Sequence, residues 1–189
     1  EAAAMIRSLF VNMQELNKGA RRPAVPKREL NKIGVIGAGF MGAGIAYVTA
    51  KAGMDVVLID RDQEAADKGK DWSRETLDKA IKRKRSTEEK RDALLAKIEA
   101  TTDYSKLSDC DLVIEAVFED KGVKADVTGK VDAASSDSMI FASNTSTIPI
   151  TSLAHGLERP DRFAGLHFFN PVRKMPLVEV IRCAQTSDA

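Results

Sequence analysis

The segment GVIGAGFMGAG, residues 34–44, carries five glycines and no charge, although charged residues make up 30% of the chain. It begins inside an apolar run, residues 33–36, that predicts a strand, and it leads into residues 40–52, which predict a helix. Residues 56–59 predict a second strand. Within the segment, Gly37, Gly39 and Gly42 have the spacing G-x-G-x-x-G. At a strand-to-helix turn the first glycine permits the tight turn and the second lets backbone approach a pyrophosphate. The third lets helix and strand pack closely. The helix start then offers unpaired N–H groups and the positive end of its dipole to phosphate. The spacing alone is weak evidence; a βαβ unit of ~30 residues with an acid about 20 residues on strengthens it.

That acid is Asp60, at the end of VVLID. A carboxylate there accepts hydrogen bonds from the adenosine ribose hydroxyls and repels a 2′-phosphate, so NAD is expected over NADP. Two features compete with this reading. Arg61 next door can serve a 2′-phosphate, and Asp60 can be a plain cap of the following helix.

Working outward, two charged helical stretches at 63–85 and 87–99 follow, then apolar runs at 112–117 and 139–142 flanking a helix at 123–134. Apolar runs at 163–168 and 177–181 close the series. Strands alternating with helices predict an α/β fold: Rossmann-type and doubly wound, with a mostly parallel sheet and helices on both faces. The uncharged run 33–50 is as long as a membrane span, but strand, turn and helix account for it and its glycines better, so no transmembrane segment is expected. A net charge of +1 gives no general attraction to nucleic acid. Cys110 and Cys183 are too few and too unpatterned for a disulfide framework or a metal site, which favours a reducing compartment and no metal.

Before this unit, Ile6, Leu9, Phe10, Met13 and Leu16 recur at spacings of three and four, one face of an amphipathic helix. The basic stretch KGARRPAVPKREL with its two prolines reads as a linker. The helix's apolar face is expected to dock, either on a neighbouring domain or on this domain's own surface. The chain opens at Glu1 rather than Met and is expected to be a piece of a longer protein.

Chemistry must come from elsewhere in the sheet. Of the two histidines, His155 sits before Gly156 in a helix-ending context and reads as structural. His167, in GLHFFNPV, ends an apolar strand, where open α/β sheets place their ligand crevice. Twelve residues on, Glu179 interrupts LVEVI and by period-two alternation faces the same way as Leu177 and Ile181. A carboxylate among apolar neighbours is costly unless paired, and a histidine is an apt partner whose tautomer and orientation it would fix. Such a pair beside a nicotinamide suits alcohol oxidation, with imidazole taking the hydroxyl proton. The plainer alternative is an edge strand with Glu179 in water and His167 as a packing residue. The cluster Asn144, Thr145, Ser146 and Thr147 arrives at the same sheet edge, able to bind a carbonyl or ribose, or to cap a helix. Glu119 and Lys124 follow another strand end and are within reach of a cofactor there.

Together GxGFMGxGIA, EAVFEDxxVK, ASNTSTIPI and HFFNPVRKMPLVEVI resemble the NAD-binding domain of L-3-hydroxyacyl-CoA dehydrogenases, and most of all the dehydrogenase part of multifunctional fatty-acid oxidation α-subunits. The resemblance covers nearly the whole chain. It implies His167 as catalytic base with Glu179 as its partner, and Ser146 touching both the substrate carbonyl and the nicotinamide end. It implies Met41 at the pyrophosphate turn, Asp60 at the ribose, Val117, Phe118, Glu119 and Lys124 along the nicotinamide ribose, Asn170 beside the cofactor, and Ser73 at coenzyme A. The basic run 82–85 would meet CoA phosphates or serve as a solvated helix face. Residues 1–31 would be a linker helix and basic linker from an upstream hydratase-like domain, and residues 32–189 the NAD-binding domain. A helical C-terminal substrate domain would lie beyond, leaving this piece inactive alone. The implied substrates are 3-hydroxyacyl-CoA and 3-ketoacyl-CoA. A thiolase subunit is a further implied partner, and the implied setting is the cytoplasm of a bacterium, or the mitochondrion or peroxisome of a eukaryote. A dehydrogenase of small β-hydroxyacids and a non-catalytic NAD-binding module are the alternatives. The His167–Glu179 pair argues against both.

Overall fold

A computed structural model describes residues 2–19 and 23–188, except for the side chain of Leu9; residues 20–22 of the expected linker lie outside the described residues. Contacts divide the chain into two units, residues 1–28 with 188–189, and residues 29–187. In the first unit the expected single helix is split. Helix α1 (Ala2–Ile6) passes through a π-helical turn (Arg7–Val11) into α2 (Asn12–Asn17). The wider turn alters the 3.6-residue phase that the apolar spacing implied. Met5, Ile6, Phe10, Met13 and Leu16 are exposed.

Among the described residues the second unit is a seven-stranded sheet in the order β3-β2-β1-β4-β5-β6-β7, with the first six parallel and β7 antiparallel to β6. Strands β1 (Lys32–Ile36), β2 (Asp55–Ile59), β4 (Leu112–Glu115), β5 (Ile140–Ser143), β6 (Phe163–Phe168) and β7 (Val178–Ile181) match the expected series. Strand β3 (Ile98–Thr101) was not expected; it takes the end of the predicted helix 87–99, which stops at Ala96. This is the doubly wound arrangement the alternation predicted. The order reverses between β1 and β4, the point where such sheets open a crevice at their carboxyl ends.

Side chains alternate across the sheet, and two cores result. On one face Ile33, Val35, Val56, Leu58 and Ile114 pack with Ile45, Ala46 and Tyr47 of α3 (Phe40–Lys51) and Leu77 of α4 (Gln63–Lys82). On the other, Ile36, Val57, Ile59, Val113, Phe141 and Phe163 pack with Val127 and Val131 of α6 (Lys121–Ala134) and Ile150 of α7 (Ile150–Ala154). Helix α5 (Glu88–Ala96) adds Leu94 to the first core. Among the described residues no helix is long and apolar enough to cross a membrane.

Candidate functional site

The glycine-rich segment forms the turn from β1 to α3. Gly37 adopts φ +93°, a left-handed conformation suited to glycine, and its N–H donates to the Ile59 carbonyl at 2.8 Å. A Cβ on Gly42 would lie 1.6 Å from the Gly37 carbonyl oxygen, so helix and turn touch backbone to backbone. A Cβ on Gly39 would meet nothing within 4 Å. Gly39 is also the N-cap of α3 and supplies no side-chain acceptor to the helix start. Helices α4, α5 and α6 instead carry side-chain caps from Asp62, Thr87 and Asp120. Open space in front of uncapped helix N–H groups is what a dinucleotide pyrophosphate needs, so the residues fit that group. Met41 in the first turn of α3 packs inward against the first core.

Asp60 does not cap α4; Asp62 does, accepting from the Ala65 amide at 2.8 Å. Asp60 instead accepts from the Ala38 amide at 2.6 Å and the Arg61 amide at 2.7 Å, which binds the end of β2 to the glycine turn. The Arg61 guanidinium is ion-paired with Asp62 at 3.1 Å. From the other side Gly69 of α4 seats Ala38 so closely that a Cβ there would lie 2.6 Å from the Ala38 Cβ. Gly69 was not singled out by the sequence reading, although an isolated glycine inside a helical pattern is the hint it offers.

A second cluster of candidate residues lies at the carboxyl ends of β4, β5 and β6. In the antiparallel pairing of β6 with β7, His167 and Glu179 stand directly opposite each other. His167 Nδ1–H donates to Glu179 Oε2 at 2.9 Å, and the Ser146 hydroxyl lies 3.3 Å from Nε2. The pair is formed, but not as expected from the strand pattern. Glu179 is 52% exposed and His167 22%, because β7 is the sheet's last strand; its Val180 and Ile181, and Leu177 just before it, are exposed as well. The expected buried acid is a half-exposed one on an edge strand.

Glu119 organises the loop that carries Ser146. Its Oε1 accepts from Thr145 Oγ1 at 2.5 Å, from the Ser146 and Thr147 amides at 3.0 Å, and from Thr147 Oγ1 at 3.1 Å. Burial pushes its carboxyl up, but the hydrogen bonds from Thr145 and Thr147 and the charge of Lys124 outweigh this and bring its pKa down to about 2. Asn144 accepts from the Phe168 amide at 2.9 Å, fixing the same loop to β6. Val117 and the exposed Phe118 follow β4, whose end touches the glycine turn: a Cβ on Gly37 would meet the Ala116 carbonyl oxygen at 2.6 Å. Asn170 is exposed three residues beyond His167.

Two sequence expectations change. Ser73, expected at coenzyme A, is fully buried on the face of α4 one turn from Gly69, and its Oγ has no hydrogen-bond partner among the described residues. A ligand arriving from solvent does not meet it. Lys124, expected along the cofactor, is 1% exposed and committed to Glu115 at 2.7 Å and Glu119 at 3.2 Å, so it reaches the crevice only through Glu119. Glu115 itself was missed, although an acid ending the apolar strand LVIE demanded a partner. A separate groove of about 330 Å³ between α6 and the end of α7 is lined by Thr128, Asp132, Leu153 and His155, and none of the residues above faces it. His155 ends α7, as its context predicted.

The family model for the 3-hydroxyacyl-CoA dehydrogenase NAD-binding domain matches residues 32–189. The fatty acid oxidation complex subunit alpha of Psychrobacter arcticus is 42% identical over 186 residues, 98% of this chain and 26% of the relative. The chain thus spans about a quarter of the length of the curated relatives it matches. The crystal structure of (S)-3-hydroxybutyryl-CoA dehydrogenase from Ralstonia eutropha is similar with a TM-score of 0.81 and 43% identity, covering 85% of this chain and 56% of that one. The dehydrogenase part of multifunctional enzyme 1 from C. elegans has a TM-score of 0.79 at 27% identity, covering 94% of this chain and 43% of that one.

Proposed function

This chain belongs to the family of 3-hydroxyacyl-CoA dehydrogenase NAD-binding domains, and on that premise we propose that it carries the NAD site and the catalytic base for oxidising (3S)-3-hydroxyacyl-CoA to 3-ketoacyl-CoA. The observation that carries the reading is the line of contact from Glu179 through the His167 ring to the Ser146 hydroxyl, at the sheet edge where the glycine turn opens. Gly37, Gly39, Gly42 and the start of α3 would hold the pyrophosphate, and Asp60 the adenosine ribose. Glu119, Val117, Phe118 and Asn170 would line the nicotinamide end. When bound, NAD supplies the hydride acceptor.

The residues of the chain manage the proton. With Nδ1–H donating to Glu179, the lone pair of Nε2 points toward Ser146 and toward a substrate hydroxyl placed beside it. Nε2 takes the hydroxyl proton as the carbonyl forms, and the Glu179 carboxylate favours the imidazolium that results. The Ser146 hydroxyl donates to the substrate oxygen and keeps it at Nε2. In the reverse direction His167 returns the proton.

In the full-length protein assayed with acetoacetyl-CoA, His167→Gln lowers turnover ~10²–10⁴-fold, the loss typical of a positioned acid/base. Near-normal turnover would remove His167 from the mechanism. The 189-residue chain binds NADH, seen as enhanced fluorescence, in preference to NADPH; equal binding would overturn the role given to Asp60. The same reading makes an upstream hydratase-like domain and a thiolase subunit partners of the full-length protein in the cytoplasm of a bacterium. The name of the curated relatives, subunit alpha of a fatty acid oxidation complex, supports membership of a larger assembly.

A further inference from the structure

Two charged side chains at the end of β4 are almost sealed from solvent. Glu115 and Lys124 are each 1% exposed and 2.7 Å apart. Burying two charges is costly, and packed apolar residues of similar volume commonly stabilise a fold as well or better. Stability alone therefore does not account for the pair; its connections do. Glu115 gathers the Ser143 hydroxyl from β5 at 2.7 Å, the Lys124 ammonium from α6, and the Val117 amide at 2.8 Å. Lys124 reaches on to Glu119 Oε2 at 3.2 Å. The other oxygen of Glu119 takes four donors from the 145–147 loop, and Ser146 of that loop meets His167.

We propose that Glu115 and Lys124 are positioning residues for the His167 base: their buried pair fixes Glu119, Glu119 fixes the 145–147 loop, and the loop holds the Ser146 hydroxyl against Nε2. An ammonium is suited to this link because it stands between two carboxylates that would otherwise repel each other. In a dry site such bonds are strong and directional. The catalytic consequence rests on the reading of His167 as base, whereas the placement of the ring does not.

The test separates positioning from stability and from activity. The chain has two histidines, so imidazole ¹⁵N spectra of the 189-residue protein report His167, with His155 at the end of α7 as an internal control. Lys124→Met is compared with Glu115→Gln/Lys124→Met, which leaves no unpaired buried charge and serves where the single variant fails to fold. In either folded variant the His167 ring signals shift or broaden as they do in Ser146→Ala, while those of His155 stay in place. In the full-length protein kcat falls on the order of 10²-fold, the loss that a ~1 Å misplacement brings, with KM little changed. Adding Ser146→Ala to the double variant then lowers kcat no further, because one linkage has already been broken. A stable double variant with wild-type His167 signals overturns the proposal whatever its activity. So does one in which kcat returns along with stability. If the wild-type full-length protein does not oxidise 3-hydroxyacyl-CoA, the functional reading falls, and the spectra still decide the positioning.

Discussion

The dinucleotide turn and the edge that carries His167 lie along one sheet margin and are built from opposite materials. At the turn, function comes from side chains that are missing. Gly37 and Gly42 let backbone meet backbone, Gly39 leaves space, and the donors on offer are main-chain N–H groups. Asp60 and Gly69 hold Ala38 from two sides, so the turn has little freedom. At the edge, the arrangement is made by side chains contributed by four separate segments around residues 119, 145–147, 167 and 179, and the last pair is partly open to solvent. An error at the turn is steric and spreads into the core. An error at the edge is electrostatic and stays local.

The largest test of this difference is Gly42→Ala. Its Cβ has a backbone oxygen 1.6 Å away, which cannot rotate aside as a side chain could. Overpacking of this kind costs ~1–3 kcal/mol or more, and each kcal/mol lowers the thermal midpoint of a domain this size by about 2–4 °C. The expected outcome is a clear fall in the melting midpoint together with loss of NADH binding. Gly39→Ala meets nothing, so it should weaken NADH binding with the midpoint unmoved. Equal stability loss in both variants would break the steric account. Glu179→Gln is the corresponding change at the edge and has a smaller effect. An exposed pair is worth ~0–1 kcal/mol, so the midpoint should barely move. Turnover in the full-length protein should fall about tenfold or more, because the imidazole loses the group that fixes its tautomer. Calorimetry and a steady-state assay on the same preparation check both halves. A large drop in midpoint would mean that Glu179 is structural after all.

The same division governs what could be read from sequence. The glycine spacing, the strand on each side and Asp60 lie within 30 residues and obey local steric rules, so their placement was legible. The His167–Glu179 pair was legible because alternation fixes which way each points, and the antiparallel register then sets them opposite each other. Their exposure was not legible, since burial of a strand depends on whether another element covers it, and β7 is last in the sheet. Strand β3 was hidden because IEAT follows directly on a charged helix and, at four residues, its alternation is too short to announce a strand. Ser73 was misplaced for want of helix phase. Only the packing of α4 against α3 shows that Ala66, Gly69, Ser73 and Leu77 form its inward face. Glu115 and Lys124 meet only when α6 docks beside β4, a tertiary event that no spacing rule contains.

The smallest expected effect sharpens the comparison most, because it loosens one region and leaves the other alone. The Glu119 pKa lies near 2 in the folded chain, against an ordinary value of 4.5. A carboxylate depressed on folding contributes stability that is fully present above its unfolded pKa and is lost as pH falls toward the folded one. The contribution of Glu119 is therefore complete above about pH 4.5 and declines between there and about pH 2. Its protonation weakens the acceptor for the Ser146 and Thr147 amides, while the Gly37 amide donates to the Ile59 carbonyl, which does not titrate in this range. Amide hydrogen exchange, corrected for the intrinsic pH dependence of the rate, should show protection at Ser146 and Thr147 falling below pH 4.5 while protection at Gly37 holds until the domain itself unfolds. In Glu119→Gln that pH-dependent loss should disappear, since nothing is left there to protonate. A ratio of protection between the two sites that stays constant with pH would mean that the loop is held by the shape of its backbone rather than by the carboxylate.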